Sequence, residues 1–151
     1  MGITRDIDKL TPEARIKCIA FKQKCEEQGI PIYVNETLRS QTTQLIYYHQ
    51  GRLDVANNKN IVKEFNTLRK ENGFWELSEK EALEKIITWT FYSNHMTGKA
   101  FDAVPLKDGR LWWNAPEDVW EKIGTIGESV GLMWGGRWPE RKKDSPHFET
   151  I

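Results

Sequence analysis

The chain has 151 residues, the size of one compact domain, and 38% of them are hydrophobic, with 7 Trp, 4 Tyr and 6 Phe to furnish a core, which argues against a disordered chain. Twenty-two Lys and Arg balance twenty-two Asp and Glu, whereas a protein that neutralises phosphates carries a cationic excess, so no nucleic-acid partner is expected. No window approaches the roughly 18 apolar residues of a membrane span, and the start Met1–Asp6 lacks an apolar signal region, so the expectation is a soluble monomer, cytoplasmic at synthesis, with no membrane span.

In chain order, Thr11 with Pro12 behind it and Gly29 beyond the far end bracket a helix over 11–28. Leu10, Ala14, Cys18, Phe21 and Cys25 fall on one of its faces. Seven residues of helix rise about 10.5 Å, past the roughly 7 Å over which two cysteines can be bridged. Cys18 and Cys25 are therefore read as small buried hydrophobes with no redox or metal role. Ile30–Val34 has the composition of a strand, and Ser40 can cap a helix running from Gln41 towards Gly51. Asn60–Glu71 reads as helical with Ile61, Phe65 and Leu68 as its apolar stripe. Ser78–Glu81 has the capping-box form and opens a short helix through about Ile87. The charged stretch 57–81, bracketed by Asn-Asn and Asn-Gly turn signals, is read as a helical insertion in a single domain. Thr88–Tyr92 and Ala100–Val104 favour strand, and a turn follows at Lys107–Arg110. Asn114–Asp118 starts a helix with Val119, Ile123, Ile126 and Val130 on one face, ended by Gly131. The tail Ser145–Glu149 is expected to be extended, since Pro146 biases its predecessor away from the helical region. Helices first and short strands later predict an α+β fold with a small antiparallel sheet flanked by helices.

Three histidines occur, His49, His95 and His147. Two imidazoles and one carboxylate suffice to hold a catalytic zinc that keeps a fourth position for water. His95 and Asp102, seven apart with Gly98 between them, suit a loop that turns back so that a loop His and a strand Asp converge. Such a spacing also arises by chance, which leaves ordinary buried or surface histidines as the alternative. His49, in Tyr47-Tyr48-His49-Gln50, is assigned a structural role.

The segment Ser93-x-His95-x-x-Gly98-x-Ala100-x-Asp102, followed by Pro146-His147-Phe148-Glu149, resembles the M15 family of zinc peptidases. Leu38-Arg39-Ser40-x-x-x-Gln44 with Gln50-Gly51-Arg52, and Gly131-Leu132-x-Trp134-Gly135-Gly136-x-Trp138, are similar to two further motifs of that family, and all four stand in family order. The resemblance implies zinc held by His95, Asp102 and His147, with Asp144 as general base and Arg39 as the arginine that steadies the substrate carbonyl or its oxyanion. Ser93 would shape the ligand loop. Glu149 is either a partner of His147 or an ordinary solvated carboxylate, and Trp138 is the best candidate for a cleft wall. The sequence departs from the family at Thr37-Leu38, where Gly-Tyr is common, at Arg137, where Asp is common, and in a longer segment between Arg52 and Ser93.

The family comprises D-alanyl-D-alanine carboxypeptidases and L-alanyl-D-glutamate endopeptidases, the latter found among phage endolysins. The resemblance thus implies hydrolysis of the peptidoglycan stem peptide, foremost as an endolysin-type L-alanyl-D-glutamate endopeptidase acting on the cell wall after release. A D-alanyl-D-alanine carboxypeptidase or dipeptidase is the alternative, and a catalytically silent wall-binding module a third. Residues three apart in a flat strand face opposite ways, so Asp144 can serve His147's site only from a turn before Pro146.

Overall fold

The computed structural model describes residues 4–151, so Met1–Ile3, part of the start read above for a signal, lie outside the described residues. Helix α1 spans Pro12–Glu27 and is capped as its sequence demands: Thr11 Oγ1 accepts from the Ala14 N–H at 3.2 Å. Beyond it Gly29 takes a φ of +76°, a conformation open to glycine at no steric cost. Its buried face is Ala14, Cys18, Phe21 and Cys25. Both cysteines are free, and burial pushes each thiol up to about 12, which leaves them protonated and inert.

The sheet runs β1 (Ile32–Glu36), β2 (Ala100–Lys107), β5 (His147–Thr150), β4 (Leu132–Trp134), every pair antiparallel. Strand β3 (Arg110–Leu111) pairs with β2 through a two-residue turn in which Asp108 and Gly109 both have positive φ, 53° and 74°, the conformation tight hairpins require. Pairing sets Asp102 opposite Glu36 on one side and His147 on the other, with Phe101 opposite Phe148. Because side chains alternate along a strand, Phe101, Ala103 and Phe148 face the core, while Asp102, His147 and Glu149 share the other face. Helices α1 and α5 (Glu117–Ser129) close the core side, with Phe21 at 4.5 Å from Phe148 by ring centroids. Gly124 and Gly127 make that approach possible. A Cβ at Gly124 would stand 2.2 Å from the Trp134 ring, and one at Gly127 would stand 2.5 Å from Phe148.

Helices α2 (Gln41–His49), α3 (Ile61–Glu71) and α4 (Glu79–Glu84) gather a second apolar cluster of Ile46, Phe65, Phe74, Leu77 and Ala82. Ser40 caps α2 through the Thr43 N–H, and Ser78 with Glu81 forms the reciprocal capping box of α4. Four expectations need correction. Leu68 is 43% exposed; Arg69 turns inward instead, its Nε donating to the Trp75 carbonyl at 3.0 Å and its guanidinium lying over Phe65, Phe74 and Trp75. Thr88–Tyr92 is no strand. Its hydroxyls bond their own backbone, as Thr90 Oγ1 does to the Tyr92 carbonyl at 2.7 Å, and such local bonds compete with a sheet ladder. Strand β1 begins at Ile32 rather than Ile30, and α4 stops at Glu84, short of Ile87.

Candidate metal centre

His95 sits in a single helical turn, Asn94–Thr97, that Ser93 caps by accepting from the His95 N–H at 3.2 Å. Gly98 ends the turn at φ +74°, where a Cβ would come 2.8 Å from the Lys9 carbonyl oxygen. The imidazole is 1% exposed. Its Nδ1 lies 2.9 Å from the Thr37 carbonyl, and a carbonyl only accepts, so Nδ1 carries the proton and Nε2 presents its lone pair. That Nε2 is 3.2 Å from Asp102 Oδ1. On β5, His147 Nε2 stands 2.7 Å from Glu149 Oε1, which leaves Nδ1 turned toward Asp102 Oδ1 at 3.7 Å. Asn94 Nδ2 donates to the other Glu149 oxygen at 2.6 Å and holds that carboxylate in place.

One candidate ligand atom from each of His95, Asp102 and His147 thus lies within 4.8 Å of the other two. Ligands around a tetrahedral zinc stand about 3.3 Å apart, so the set fits such an ion after a small contraction. Each imidazole has its other nitrogen tied to a fixed acceptor, the arrangement that orients histidine ligands. Electrostatics agree. Burial works against a charged His95, yet Asp102 raises its pKa above the ordinary value. Burial likewise opposes ionised Asp102, but His95, with His147 and Arg39, holds it well below the usual carboxylate range.

Asp144 lies in the turn that leads into β5, where the His147 N–H donates to the Asp144 carbonyl at 3.1 Å. The Asp144 N–H donates to the Gly135 carbonyl at 3.0 Å. Trp134 Nε1 donates to the Ser145 carbonyl at 2.7 Å. Gly135 is needed for this approach, since a Cβ there would be 2.4 Å from the Asp144 carbonyl oxygen. The chain therefore turns between Asp144 and His147. Burial, then the charge of Asp102, pushes the Asp144 carboxyl up to about 6.

Arg39 follows β1 and is buried. Its guanidinium pairs with Glu36, donates to Gln44 Oε1 at 2.8 Å and lies 4.6 Å over the Tyr47 ring. Nε is buried without a hydrogen-bond partner among the described residues. The Arg39 N–H donates to the His95 carbonyl at 2.9 Å, which joins the arginine's backbone to the ligand loop. Trp138 places its ring 4.8 Å from that of His147. His49 stands elsewhere, edge-on to Tyr48 and Phe91.

Sequence reasoning passed over Glu36, Thr37, Tyr47 and Asn94. Glu36 carried a usable signal, a carboxylate at the inward parity of a strand beside the Arg-Ser motif. Two of the three departures from the resembled pattern, Thr37 and Arg137, make contacts of their own here. Thr37 Oγ1 donates to the Asp6 carbonyl at 2.9 Å while its own carbonyl orients His95. Arg137 pairs with Glu121 at 2.6 Å and Glu128 at 3.0 Å on α5.

A buried His–Asp–His set beside a turn-borne carboxyl and a clamped arginine, on the open face of a small antiparallel sheet, defines a metallohydrolase of α+β fold. The family described as D-alanyl-D-alanine carboxypeptidase, of peptidase M15 type, matches residues 87–150. The matched residues include His95, Asp102, Asp144 and His147. Over 152 aligned residues the chain is 28% identical to the peptidoglycan L-alanyl-D-glutamate endopeptidase CwlK of Bacillus subtilis (strain 168), covering 94% of this chain and 74% of CwlK. The fold is shared with the L-Ala D-Glu endopeptidase ChiX of Serratia marcescens, at TM-score 0.59 and 20% identity over 96% of this chain and 83% of that one. It is shared too with the vancomycin-resistance D,D-pentapeptidase VanY, solved with Zn(II), at TM-score 0.54 and 12% identity over 94% and 72% of the two chains. No helix among the described residues is long and apolar enough to cross a membrane.

Proposed function

We propose that this chain hydrolyses the L-alanyl–D-glutamate amide of peptidoglycan stem peptides, with His95, Asp102 and His147 holding zinc, Asp144 as general base and Arg39 steadying the scissile carbonyl. The observation that carries it is the convergence of three lone-pair donors within 4.8 Å beside the Asp144 turn. The choice of bond follows the likeness to CwlK, which spans nearly the whole chain.

Zinc, when bound, supplies Lewis acidity that brings a water's pKa from 15.7 to about 7 and polarises the scissile carbonyl. The protein's own groups do the rest. Thr37 and Glu149 fix which nitrogen each histidine presents. Asp144 takes one proton from the attacking water on its carboxylate and passes it to the departing glutamate nitrogen, so the amide C–N bond breaks to a neutral amine and a carboxylic acid, which gives its remaining proton to solvent. Its environment suits a proton carrier, being partly shielded from solvent and near a second carboxylate. Arg39 keeps its charge at every working pH. Glu36 and Gln44 each use one of its terminal nitrogens, and each terminal nitrogen keeps a second N–H for the substrate oxygen. Trp138, against His147, forms a wall that holds the peptide beside these groups.

Digestion of purified peptidoglycan by the zinc-loaded protein tests the reading. Mass spectrometry should find new amino-terminal D-glutamate. Release of D-alanine in its place would assign the chain to the carboxypeptidase activity by which the matched family is described.

A further inference from the structure

Two guanidinium groups lie over one exposed indole, that of Trp89. Trp89, 46% exposed, has the Arg52 guanidinium carbon 5.6 Å and that of Arg141 5.8 Å from its ring centroid. Neither arginine has a carboxylate partner among the described residues. Their neighbours differ: Arg137 is taken by Glu121 and Glu128, and Lys143 by Glu117. Both walls of this cluster are tied to the reacting groups. Arg141 stands three residues before Asp144. Trp89 adjoins Thr90, whose carbonyl accepts from Gln44 Nε2 at 2.7 Å, and the same Gln44 holds Arg39. Arg52 is itself oriented, donating to the Tyr48 carbonyl and stacked 4.0 Å over the Tyr48 ring.

We infer that Arg52, Trp89 and Arg141 form a subsite for a carboxylate on the leaving-group side of the substrate. The inference rests on the L-alanyl–D-glutamate reading. A glutamate within a chain uses its amine and one carboxyl, so the residue whose amine departs retains a free carboxylate close to the cleaved bond. Planar guanidinium forks bind carboxylates through paired, charge-assisted hydrogen bonds. The indole face offers apolar contact for the aliphatic part of the same residue. Two guanidinium groups at Trp89 without carboxylate partners among the described residues therefore match an acidic side group and have no use for its amide.

The test compares L-alanyl-D-glutamyl-L-alanine bearing the free glutamate carboxyl with the same peptide carrying a carboxamide there. Calorimetry on the zinc-loaded Asp144→Asn protein reads binding without turnover. The acid should bind about tenfold more tightly than the amide. Arg141→Gln in the same background should bring the two peptides to within about twofold, and Arg141→Lys should restore part of the preference. Equal binding of acid and amide, or a preference that survives Arg141→Gln, overturns the subsite. Acid-selective binding that depends on Arg141, with no cleavage of either peptide by the protein retaining Asp144, would uphold the subsite and sink the bond assignment instead.

Discussion

The indole nitrogen of Trp134 donates to the Ser145 carbonyl at 2.7 Å, so a core aromatic holds the turn that carries Asp144. Trp134 is 2% exposed, and its ring rests against Gly124 of α5. The Asp144 turn is thereby anchored to the buried core of the fold. Replacing Trp134 by Phe keeps an aromatic but strands the carbonyl and leaves a gap. Stability should fall by about 2 kcal/mol and kcat by about tenfold, with zinc content unchanged. Urea denaturation, metal analysis and single-substrate kinetics check the three arms, and an unaltered kcat would free the turn from the indole.

Asp144→Asn conserves size and the backbone bonds that form the turn, both of which involve main-chain atoms only. It removes the group able to accept a proton. The variant should bind zinc as before and lose about 10²–10⁴ in kcat. Normal turnover by a zinc-replete variant would place the base elsewhere.

Glu36 is 3% exposed and Arg39 8% exposed, so their pair is shielded on both sides. Glu36→Gln leaves a buried guanidinium without its counter-charge. Breaking such a pair from one side costs about 3 kcal/mol, near the low end for buried ion pairs. Because Arg39 also loses its fixed aim, kcat should drop while metal content holds. A denaturation midpoint unmoved by the change would mean that Gln44 and Tyr47 suffice to hold the arginine.

Metal removal should lower Tm, since an ion bound only by the folded chain stabilises it. The pH dependence of the metal-free protein follows from its three central groups. Asp102, held below its ordinary 3.8, contributes stability above that value and loses it as pH falls. Asp144, raised to about 6, loses its contribution as pH climbs from 3.8 through about 6. His95, raised above 6.5, contributes below that pH and loses it as pH rises through the folded value. Metal-free Tm should therefore be highest at about pH 4 to 5 and decline toward about pH 8. Zinc needs unprotonated imidazoles, so the Tm gap between loaded and EDTA-treated protein should widen over that range. Thermal melts at about pH 5 and about pH 8 decide it; a gap that narrows with rising pH contradicts the centre as described.

What could be read from the residues in order was local. Thr11, Pro12 and Gly29 delimit α1 by capping chemistry that acts within a few residues, and Ser78 with Glu81 does the same for α4. The ligand loop was legible for the same reason, since Ser93, Gly98 and the start of β2 lie in one short stretch. Thr88–Tyr92 misled because β-branched and aromatic composition measures fitness for a sheet and cannot say whether an edge is free to receive it.

The sequence by itself determined the capped starts of α1, α2 and α4, the chemistry of three side chains that could hold a metal and the placement of Asp144 before a proline-containing turn. Tertiary structure alone decided which nitrogen His95 presents, because the Thr37 carbonyl that sets it is 58 residues away along the chain. It also decided that Glu36 clamps Arg39 and that Trp134 holds the Asp144 turn. Capping and periodicity act over one or two helical turns. Register between β1, β2 and β5 is set by burial of Phe101 and Phe148 under α1 and α5, and only that packing brings these distant partners together.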